Sequence, residues 1–269
     1  MKIVIVGYGP AAVSALRAIA SYREAEAKRD VAVTVVTREL HPPYSPMFLI
    51  EYMFGNLKKR QLYLPPLPTD GVTLNIIAGR RVVDIRSKDN RVLLDDGKSL
   101  AYNRLLIATG ASALRPPIKG LDKPGVFFIS RLDDARRLRE RMKRSSRVII
   151  IGAGAIGIET ALAMASRGKA VAVVEAVGCI VPLMLDEDLA GYLRGRLEKQ
   201  GIPFLLNNPV SEVTGKRRAE GVVAGGQAIP GDLVIVAAGF RPNTEFLNSK
   251  GIKTAKRHYR RRPYADQRQ

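Results

Sequence analysis

The chain has 269 residues, 46% of them hydrophobic, and a formal net charge of +19, which allows one or two globular domains of about 100–200 residues each. Its single cysteine, Cys179, excludes an internal disulfide and a Cys-x-x-Cys redox pair, so any redox chemistry needs a bound cofactor. A signal peptide and a run of roughly 20 apolar residues are both absent, which predicts a cytoplasmic protein without a membrane partner.

The first predicted unit is a strand, a helix and a second strand. An apolar run at residues 2–6 ends at a glycine turn, a helical pattern follows from about residue 10, and another apolar run covers residues 31–36. The turn fits G-x-G-x-x-A, in which the second glycine lets a pyrophosphate approach the backbone and the small last residue lets helix and strand pack closely. Its predicted nucleotide contacts are Gly7, Gly9, Pro10, Ala11 and Ala12. A glycine turn that serves packing alone is the alternative.

Glu39 follows the second strand and is the acid expected to hold a ribose hydroxyl, with an ordinary surface acid as the alternative. Residues 40–70 are rich in proline and aromatics and predict an ordered loop with a short helix at residues 49–53. From residue 72 to residue 107, short apolar runs separated by turn signals predict a small antiparallel meander, which ends in a buried strand at residues 104–107.

The strand, turn and helix pattern returns after a helix that starts near residue 131. Residues 147–151 are an apolar run, a full G-x-G-x-x-G turn follows, and a helix to about residue 166 leads to a strand at residues 170–174. The predicted contacts of this second turn are Gly152, Gly154, Ala155, Ile156 and Gly157. Two such units about 145 residues apart predict two nucleotide-binding domains.

Glu175 ends the strand that follows the second turn, near the usual spacing of about 20 residues. A carboxylate there accepts hydrogen bonds from the adenosine ribose hydroxyls and repels a 2′-phosphate, and no arginine follows in residues 176–179. We therefore expect the second unit to prefer NAD(H) over NADP(H).

Five motifs in a fixed order carry a resemblance to a known family. They read GYGPAA, LLIATG, VIIIGAGAIGIE, VVEA and IVAAGFRPN. From residue 1 to about residue 254 the chain resembles the pyridine nucleotide-disulfide oxidoreductase superfamily. The resemblance is to its NADH oxidase, nitrite reductase, coenzyme A disulfide reductase and ferredoxin or rubredoxin reductase branches. It implies that the first glycine turn binds FAD and the second NAD(P)H.

The resemblance also implies roles for residues outside the two turns. The implied FAD contacts are a crossing segment near the phosphates at Ala108-Thr109-Gly110, the Val82 backbone at the adenine, and a return strand at Ala238-Gly239. Glu159 would be a catalytic residue that orients the reduced ring near nicotinamide and flavin, with a first-turn acid favoured by the helix dipole as the alternative. Ala155 replaces a bulky gating aromatic of several relatives, which implies an open nicotinamide pocket.

Cysteine use departs from the family. Met47 stands where the peroxide- and disulfide-reducing relatives place a redox cysteine. A thioether cannot become a thiolate nucleophile, so we expect no redox-active disulfide and no persulfide chemistry at that site. Cys179 follows the ribose-binding strand and is expected to be a structural or incidental thiol.

The last residues also depart from the family. Relatives continue into a strand with an Ala-Gly-Asp motif, whose aspartate binds FAD, and then into an interface domain. Residues 255–269 are instead a basic stretch without an apolar period and are expected to be disordered. A truncated or frame-shifted member would have this sequence, and we expect weaker FAD retention and association into a homodimer.

The positive charge is expected to be solvated rather than to bind nucleic acid. Acids and bases alternate along residues 133–141, and no series of base-stacking aromatics accompanies the basic residues. A nucleic-acid binder that uses the basic tail is the weakest of the alternatives.

The predicted fold is α/β, with two Rossmann-like doubly wound domains, an FAD-type domain interrupted by an NAD-type domain, and a small antiparallel β-meander. The predicted divisions are an FAD-binding part at 1–112, an NAD(P)H-binding domain at 113–236, a return into the FAD domain at 237–254 and the tail at 255–269. The predicted function is hydride transfer from NADH to FAD and of electrons to an unidentified small-molecule or small redox-protein acceptor, without a metal. The alternative is a non-catalytic NAD(H)-binding remnant that lacks stable FAD.

Overall fold

The computed structural model describes residues 1–26, 31–66 and 72–247, so the predicted tail at 255–269 and the last part of the predicted return segment lie outside the described residues. The helices are α1 Pro10–Glu26, α2 Leu49–Met53, α3 Lys59–Leu62, α4 Leu132–Met142, α5 Ala155–Ala165 and α6 Glu187–Glu198. Single 3-10 turns cover Pro46–Phe48, Ser87–Asp89 and Glu245–Leu247. Within the described ranges, no helix combines the length and the apolar character that crossing a membrane requires.

The described residues also form seventeen strands. Those of the first part are β1 Lys2–Val6, β2 Val31–Thr37, β3 Val72–Ala78, β4 Val82–Arg86, β5 Arg91–Leu94, β6 Ser99–Ala101, β7 Arg104–Ile107 and β8 Ala111–Ala113. The others are β9 Val126–Phe128, β10 Arg147–Ile151, β11 Ala170–Val174, β12 Phe204–Leu205, β13 Val210–Thr214, β14 Gly221–Ala224, β15 Gln227–Pro230, β16 Leu233–Val236 and β17 Phe240–Pro242.

The first sheet has four parallel strands in the order β3-β2-β1-β7. Successive side chains of β1 point to opposite faces, as they do in any strand. Ile3 and Ile5 pack against α1, whereas Val4 and Val6 pack against the antiparallel sheet β4-β5-β6. A helix on one face and a small sheet on the other therefore bury both sides of this apolar strand.

Two expectations for residues 72–107 are corrected by the structure. Val72–Ala78 does not belong to the antiparallel meander but pairs in parallel with β2 along its whole length. Arg104–Ile107 is a strand, but it is exposed or half-buried rather than buried, because it lies at an edge of the four-stranded sheet. Local alternation predicts that a segment is extended, but the partner strand is chosen by contacts distant in sequence.

The second sheet has five parallel strands in the order β12-β11-β10-β16-β9. Ile150 and Leu233 pack on the side of α4, α5 and α6, whereas Ile149 and Val234 pack on the side of the antiparallel sheet β13-β14-β15. This is the arrangement of the first sheet, so the two predicted nucleotide units share one architecture.

The segment at residues 44–62 packs with the second unit rather than with the first sheet. Its buried side chains belong to the same core cluster as the inner faces of α4 and α5. The Arg139 guanidinium donates to the Tyr52 carbonyl at 3.2 Å. Arg167 donates to the Phe54 carbonyl at 2.7 Å and lies 4.6 Å from the centroid of the Phe54 ring. The segment thereby joins the two units.

The chain passes between the two units twice, and the two passages lie side by side. Strand β8 pairs antiparallel with β17, with Ala111 opposite Pro242 and Ala113 opposite Phe240. Because β8 follows closely after β7, this ribbon lies beyond the carboxyl end of the first sheet.

Candidate functional site

A cavity of about 790 Å³ opens at the carboxyl ends of β1, β2 and β7. Ligands of parallel α/β sheets bind at this edge, where strands end and helices begin. The predicted site residues that line the cavity are Gly7, Gly9, Pro10, Ala11, Glu39, Val82, Ala108, Thr109 and Gly110. The structure therefore brings together, around one cavity, residues that the sequence places up to about a hundred positions apart.

The glycines of the first turn have different steric roles. Gly7 has a φ of +104°, and a Cβ there would lie 2.1 Å from the Ala108 carbonyl oxygen, so only glycine fits. A Cβ on Gly9 would meet no atom within 4 Å. Ala12 is buried and packs α1 against the first sheet. The open space at Gly9, at the N-terminus of α1, is where a phosphate group could approach the backbone.

Asn243 joins the outward and return passages beside the cavity. The Thr109 hydroxyl donates to the Asn243 carbonyl at 2.8 Å, and the Asn243 side-chain amide donates to the Thr109 carbonyl at 2.8 Å. The Ser112 hydroxyl donates to Asn243 Oδ1 at 2.7 Å, and Arg38 donates to the Ser112 oxygen at 3.1 Å. Asn243 was not among the predicted site residues, although it belongs to the quoted GFRPN motif.

Ala238 and Gly239, which the family resemblance assigned to cofactor binding, are not part of the cavity lining. Ala238 packs against the core between the second sheet and its antiparallel sheet. The Gly239 carbonyl accepts the Leu114 N–H at 2.8 Å. These residues direct the return passage, and their contact with a cofactor stays a prediction.

Glu39 lies on the cavity wall, and its contact with a ribose stays a prediction. The Tyr44 hydroxyl donates to Glu39 Oε2 at 2.7 Å and accepts the backbone N–H of Leu132 at 3.0 Å. Burial, and then the hydrogen bond to Glu39, raise the pKa of Tyr44 well above its ordinary value. No sequence pattern singles out Tyr44, because its two partners are distant from each other in the chain.

Four arginines line the same cavity, and none was among the predicted site residues. Arg38 follows β2, Arg80 and Arg81 precede β4, and Arg131 precedes α4. Arg80 and Arg81 form ion pairs with the acids at residues 95–96. Burial, and then the charge of Arg131, lower the pKa of Arg38. The proximity of like charges at Arg38 and Arg131 favours an anionic ligand group in this part of the cavity.

The second turn has the geometry of a full dinucleotide fingerprint. Gly152 has a φ of +109°, and a Cβ there would lie 2.5 Å from the Ala237 carbonyl oxygen. A Cβ on Gly157 would lie 2.0 Å from the Gly152 carbonyl oxygen, so helix and strand approach each other closely. A Cβ on Gly154 would meet no atom within 4 Å. As in the first turn, the middle glycine leaves open space at a helix N-terminus, where Ala155 is exposed.

Glu175 lies at the end of β11 and is held by backbone donors of its own unit. Its Oε2 accepts the Ala153 N–H at 2.7 Å, and its Oε1 accepts the Val177 N–H at 3.2 Å. A carboxylate oxygen accepts more than one hydrogen bond. The carboxylate is thus fixed beside the second turn and keeps acceptor capacity for ribose hydroxyls.

Glu159 lies on α5 near the junction of the two units. The alternative of a first-turn acid is wrong, because α5 begins at Ala155 and Glu159 is on its second turn. The side chain is exposed, and desolvation followed by the charge of Glu51 on α2 raises its pKa. A role beside a nicotinamide ring stays a prediction.

The two sulfur-bearing residues singled out by the sequence differ in exposure. Met47 is 84% exposed and follows Pro46, which lines the cavity. Cys179 is half-buried and packs against the core of the second unit. Over residues 1–26, 31–66 and 72–247, no three His, Cys, Asp or Glu residues are grouped to hold a metal ion.

Comparison with known proteins adds a family and several relatives. A family profile described as pyridine nucleotide-disulphide oxidoreductase matches residues 1–261. The NADH oxidase of Methanocaldococcus jannaschii is 32% identical over 265 residues, which are 95% of this chain and 58% of that protein. The rubredoxin-NAD(+) reductase of Pseudomonas putida is 31% identical over 260 residues, which are 95% of this chain and 66% of that protein.

Solved structures agree with the architecture. A ferredoxin reductase from Rhodopseudomonas palustris has a TM-score of 0.83 and 28% sequence identity to this chain, and the match covers 94% of this chain and 62% of that one. The chain thus spans less than two-thirds of the length of these relatives.

Proposed function

This chain belongs to the pyridine nucleotide-disulphide oxidoreductase family, and on that premise we propose that it is a cytoplasmic FAD-dependent oxidoreductase that uses NADH. FAD and NAD(H) are the cofactors of the family. The observation that carries the proposal is the pair of glycine turns, each of which leaves open space at its middle glycine, Gly9 or Gly154, before a helix N-terminus. Two such turns suit two dinucleotides.

The first cavity would hold FAD. Its volume of about 790 Å³ is in the range of ligand sites. The pyrophosphate would lie at Gly9 and the N-terminus of α1, with Arg38 and Arg131 as counter-charges, and Glu39 would accept hydrogen bonds from the adenosine ribose. The bound flavin would supply the hydride-accepting chemistry, whereas these protein groups bind it, orient it and exclude water.

The second turn would hold NADH. Gly154 leaves room for its pyrophosphate, and the fixed Glu175 carboxylate would accept hydrogen bonds from its adenosine ribose. Glu159, on the next turn of α5, would orient the nicotinamide end. Its raised pKa reflects a partly desolvated position close to α2.

The electron acceptor is proposed as a small molecule or a small redox protein. A rubredoxin reductase is among the relatives, which supports the second of these classes. We further propose a homodimer, which a molar mass in solution would test; among residues 1–26, 31–66 and 72–247, β7 is an edge strand of the first sheet to which a second copy could add. Nothing in the described residues favours a non-catalytic NAD(H)-binding remnant over this proposal.

The absorbance spectrum of the purified protein tests the proposal. We expect the two visible bands of oxidised flavin after reconstitution with FAD, and their loss on anaerobic addition of NADH. Retained NADH binding without flavin bands under any reconstitution condition would support the non-catalytic remnant instead. The Gly9→Ala variant is the matched control, because it should fold without taking up FAD.

Alkylation of thiols is expected to leave NADH-dependent dye reduction unchanged. Met47 cannot form a thiolate, and Cys179 packs on the core of the second unit outside the cavity lining. Activity should be measured before and after iodoacetamide, with Cys179→Ala as the control that has no thiol to modify. Complete loss of activity in the parent protein, with its fold intact, would show that Cys179 takes part in the chemistry.

A further inference from the structure

The Tyr44 hydroxyl connects a wall of the first cavity with a helix of the second unit. It donates to Glu39 Oε2 at 2.7 Å and accepts the Leu132 N–H at 3.0 Å. Glu39 follows β2 of the first sheet, whereas Leu132 is the first residue of α4. A single oxygen atom therefore joins the proposed ribose-binding acid to the start of α4.

The contact to Leu132 replaces a helix cap. The first N–H groups of a helix have no partner within the helix and need an acceptor from outside. Arg131, at the N-cap position of α4, makes no side-chain capping hydrogen bond. The Tyr44 oxygen supplies an acceptor from a segment 88 residues away.

The surroundings of Tyr44 fix the direction of both hydrogen bonds. Its ring is buried in the core cluster that joins the segment at residues 44–62 to α4. Because Leu132 can only donate, the phenol proton is directed to Glu39. Burial and the Glu39 carboxylate raise the pKa of Tyr44, so the phenol stays protonated at neutral pH.

We propose that Tyr44 is a positioning residue, which holds the Glu39 carboxylate ready for the adenosine ribose and makes ligand affinity in the first cavity depend on the placement of α4. The inference rests on the proposed function, since it concerns the same cavity. With Oε2 held by Tyr44, Oε1 stays available to a ligand hydroxyl. A carboxylate already fixed in one rotamer also loses less conformational entropy when the ligand binds.

The test is a double-mutant cycle with Tyr44→Phe and Glu39→Ala in the full chain, with FAD binding followed by flavin fluorescence. Tyr44→Phe keeps the buried ring and removes only the oxygen. We expect about 10-fold weaker FAD binding for Tyr44→Phe, because a hydrogen bond to a charged group is lost. In the Glu39→Ala background, the same change should weaken FAD binding by less than about 2-fold, because the acceptor of the Tyr44 hydroxyl is already absent.

Tyr63→Phe is the matched control. Tyr63 forms a β-bridge with Tyr44 and packs against the same core, but it does not line the cavity. The Tyr63→Phe variant should bind FAD with the same affinity as the parent protein. AMP carries only the adenosine end of FAD and should compete with it for the cavity. The affinity for AMP should fall in Tyr44→Phe by the same factor as the affinity for FAD.

Each outcome of the cycle decides the inference. If Tyr44→Phe loses the same factor of FAD affinity in both backgrounds, the role of Tyr44 is merely structural and the inference is overturned. Parent-like FAD affinity of Tyr44→Phe would overturn it while the proposed function stands. Failure of the parent protein itself to bind FAD would overturn the proposed function and this inference with it.

Discussion

Replacement of Gly7 by alanine is expected to prevent stable folding, whereas replacement of Gly9 by alanine is expected to preserve the fold and abolish FAD binding. At Gly7 the positive φ disfavours any side chain, and the new Cβ would lie 2.1 Å from a backbone oxygen that cannot move without displacing β7. Strain and overpacking together should lower the free energy of unfolding by roughly 4 kcal/mol or more. At Gly9 the methyl group meets no protein atom within 4 Å and occupies the proposed phosphate space.

Denaturant unfolding and FAD titration of both variants measure these two effects separately. Gly195→Ala is a control for the glycine-to-alanine change itself, because Gly195 lies within α6 and a Cβ there has no neighbour within 4 Å. It should gain about 0.5–1 kcal/mol of stability without altered FAD binding. Normal FAD affinity of Gly9→Ala would show that the pyrophosphate does not approach this turn.

Replacement of Glu175 by alanine is expected to weaken NADH binding by about 10- to 100-fold, because charge-assisted hydrogen bonds to the ribose are lost. The same change removes the acceptor of the Ala153 and Val177 N–H groups. The free energy of unfolding should therefore fall by about 1–3 kcal/mol. The unmodified protein should bind NADH more tightly than NADPH, since the carboxylate repels a 2′-phosphate.

Calorimetric titration with both nucleotides checks these expectations. Glu175→Gln separates charge from shape, because it keeps a carbonyl acceptor and most of the side-chain volume. We expect it to recover part of the stability and to reduce the discrimination against NADPH. Equal affinity of the parent protein for NADH and NADPH would contradict the assigned role of Glu175, and so would unchanged NADH affinity of both variants.

The glycine turns could be predicted from sequence because each follows an apolar strand directly and opens a helix, and because a positive φ at Gly7 and Gly152 is a local requirement for glycine. The carbonyl groups of Ala108 and Ala237, which also exclude a side chain there, come from distant segments and could not be read locally. The family and the α/β fold were predicted on the same basis and are confirmed by the family profile and the solved structures. The resemblance places Ala108, Thr109 and Gly110 near the FAD phosphates; they line the same cavity as Gly7, and their contact with FAD stays a prediction.

The wall of the first cavity could not be predicted in the same way. Arg38, Arg131 and Asn243 belong to three segments whose meeting depends on how the second unit is placed on the first. The role of Tyr44 could not be predicted either, because its hydroxyl forms its two hydrogen bonds only when β2 and α4 are brought together. Single arginines and a tyrosine in loops are common in any sequence and carry no spacing signal.

The sequence by itself determined the apolar strands before the two glycine turns, the helices after these turns, and the positions of Glu39 and Glu175 after the next strands. These features depend on side-chain period and backbone sterics over a few residues. The tertiary structure alone decided that Val72–Ala78 pairs with β2, that residues 44–62 join the second unit, and that Glu39 and Glu175 are held by Tyr44 and by backbone N–H groups. Strand pairing, buried contact and hydrogen-bond satisfaction are properties of groups distant along the chain, so they are fixed only when the whole core forms.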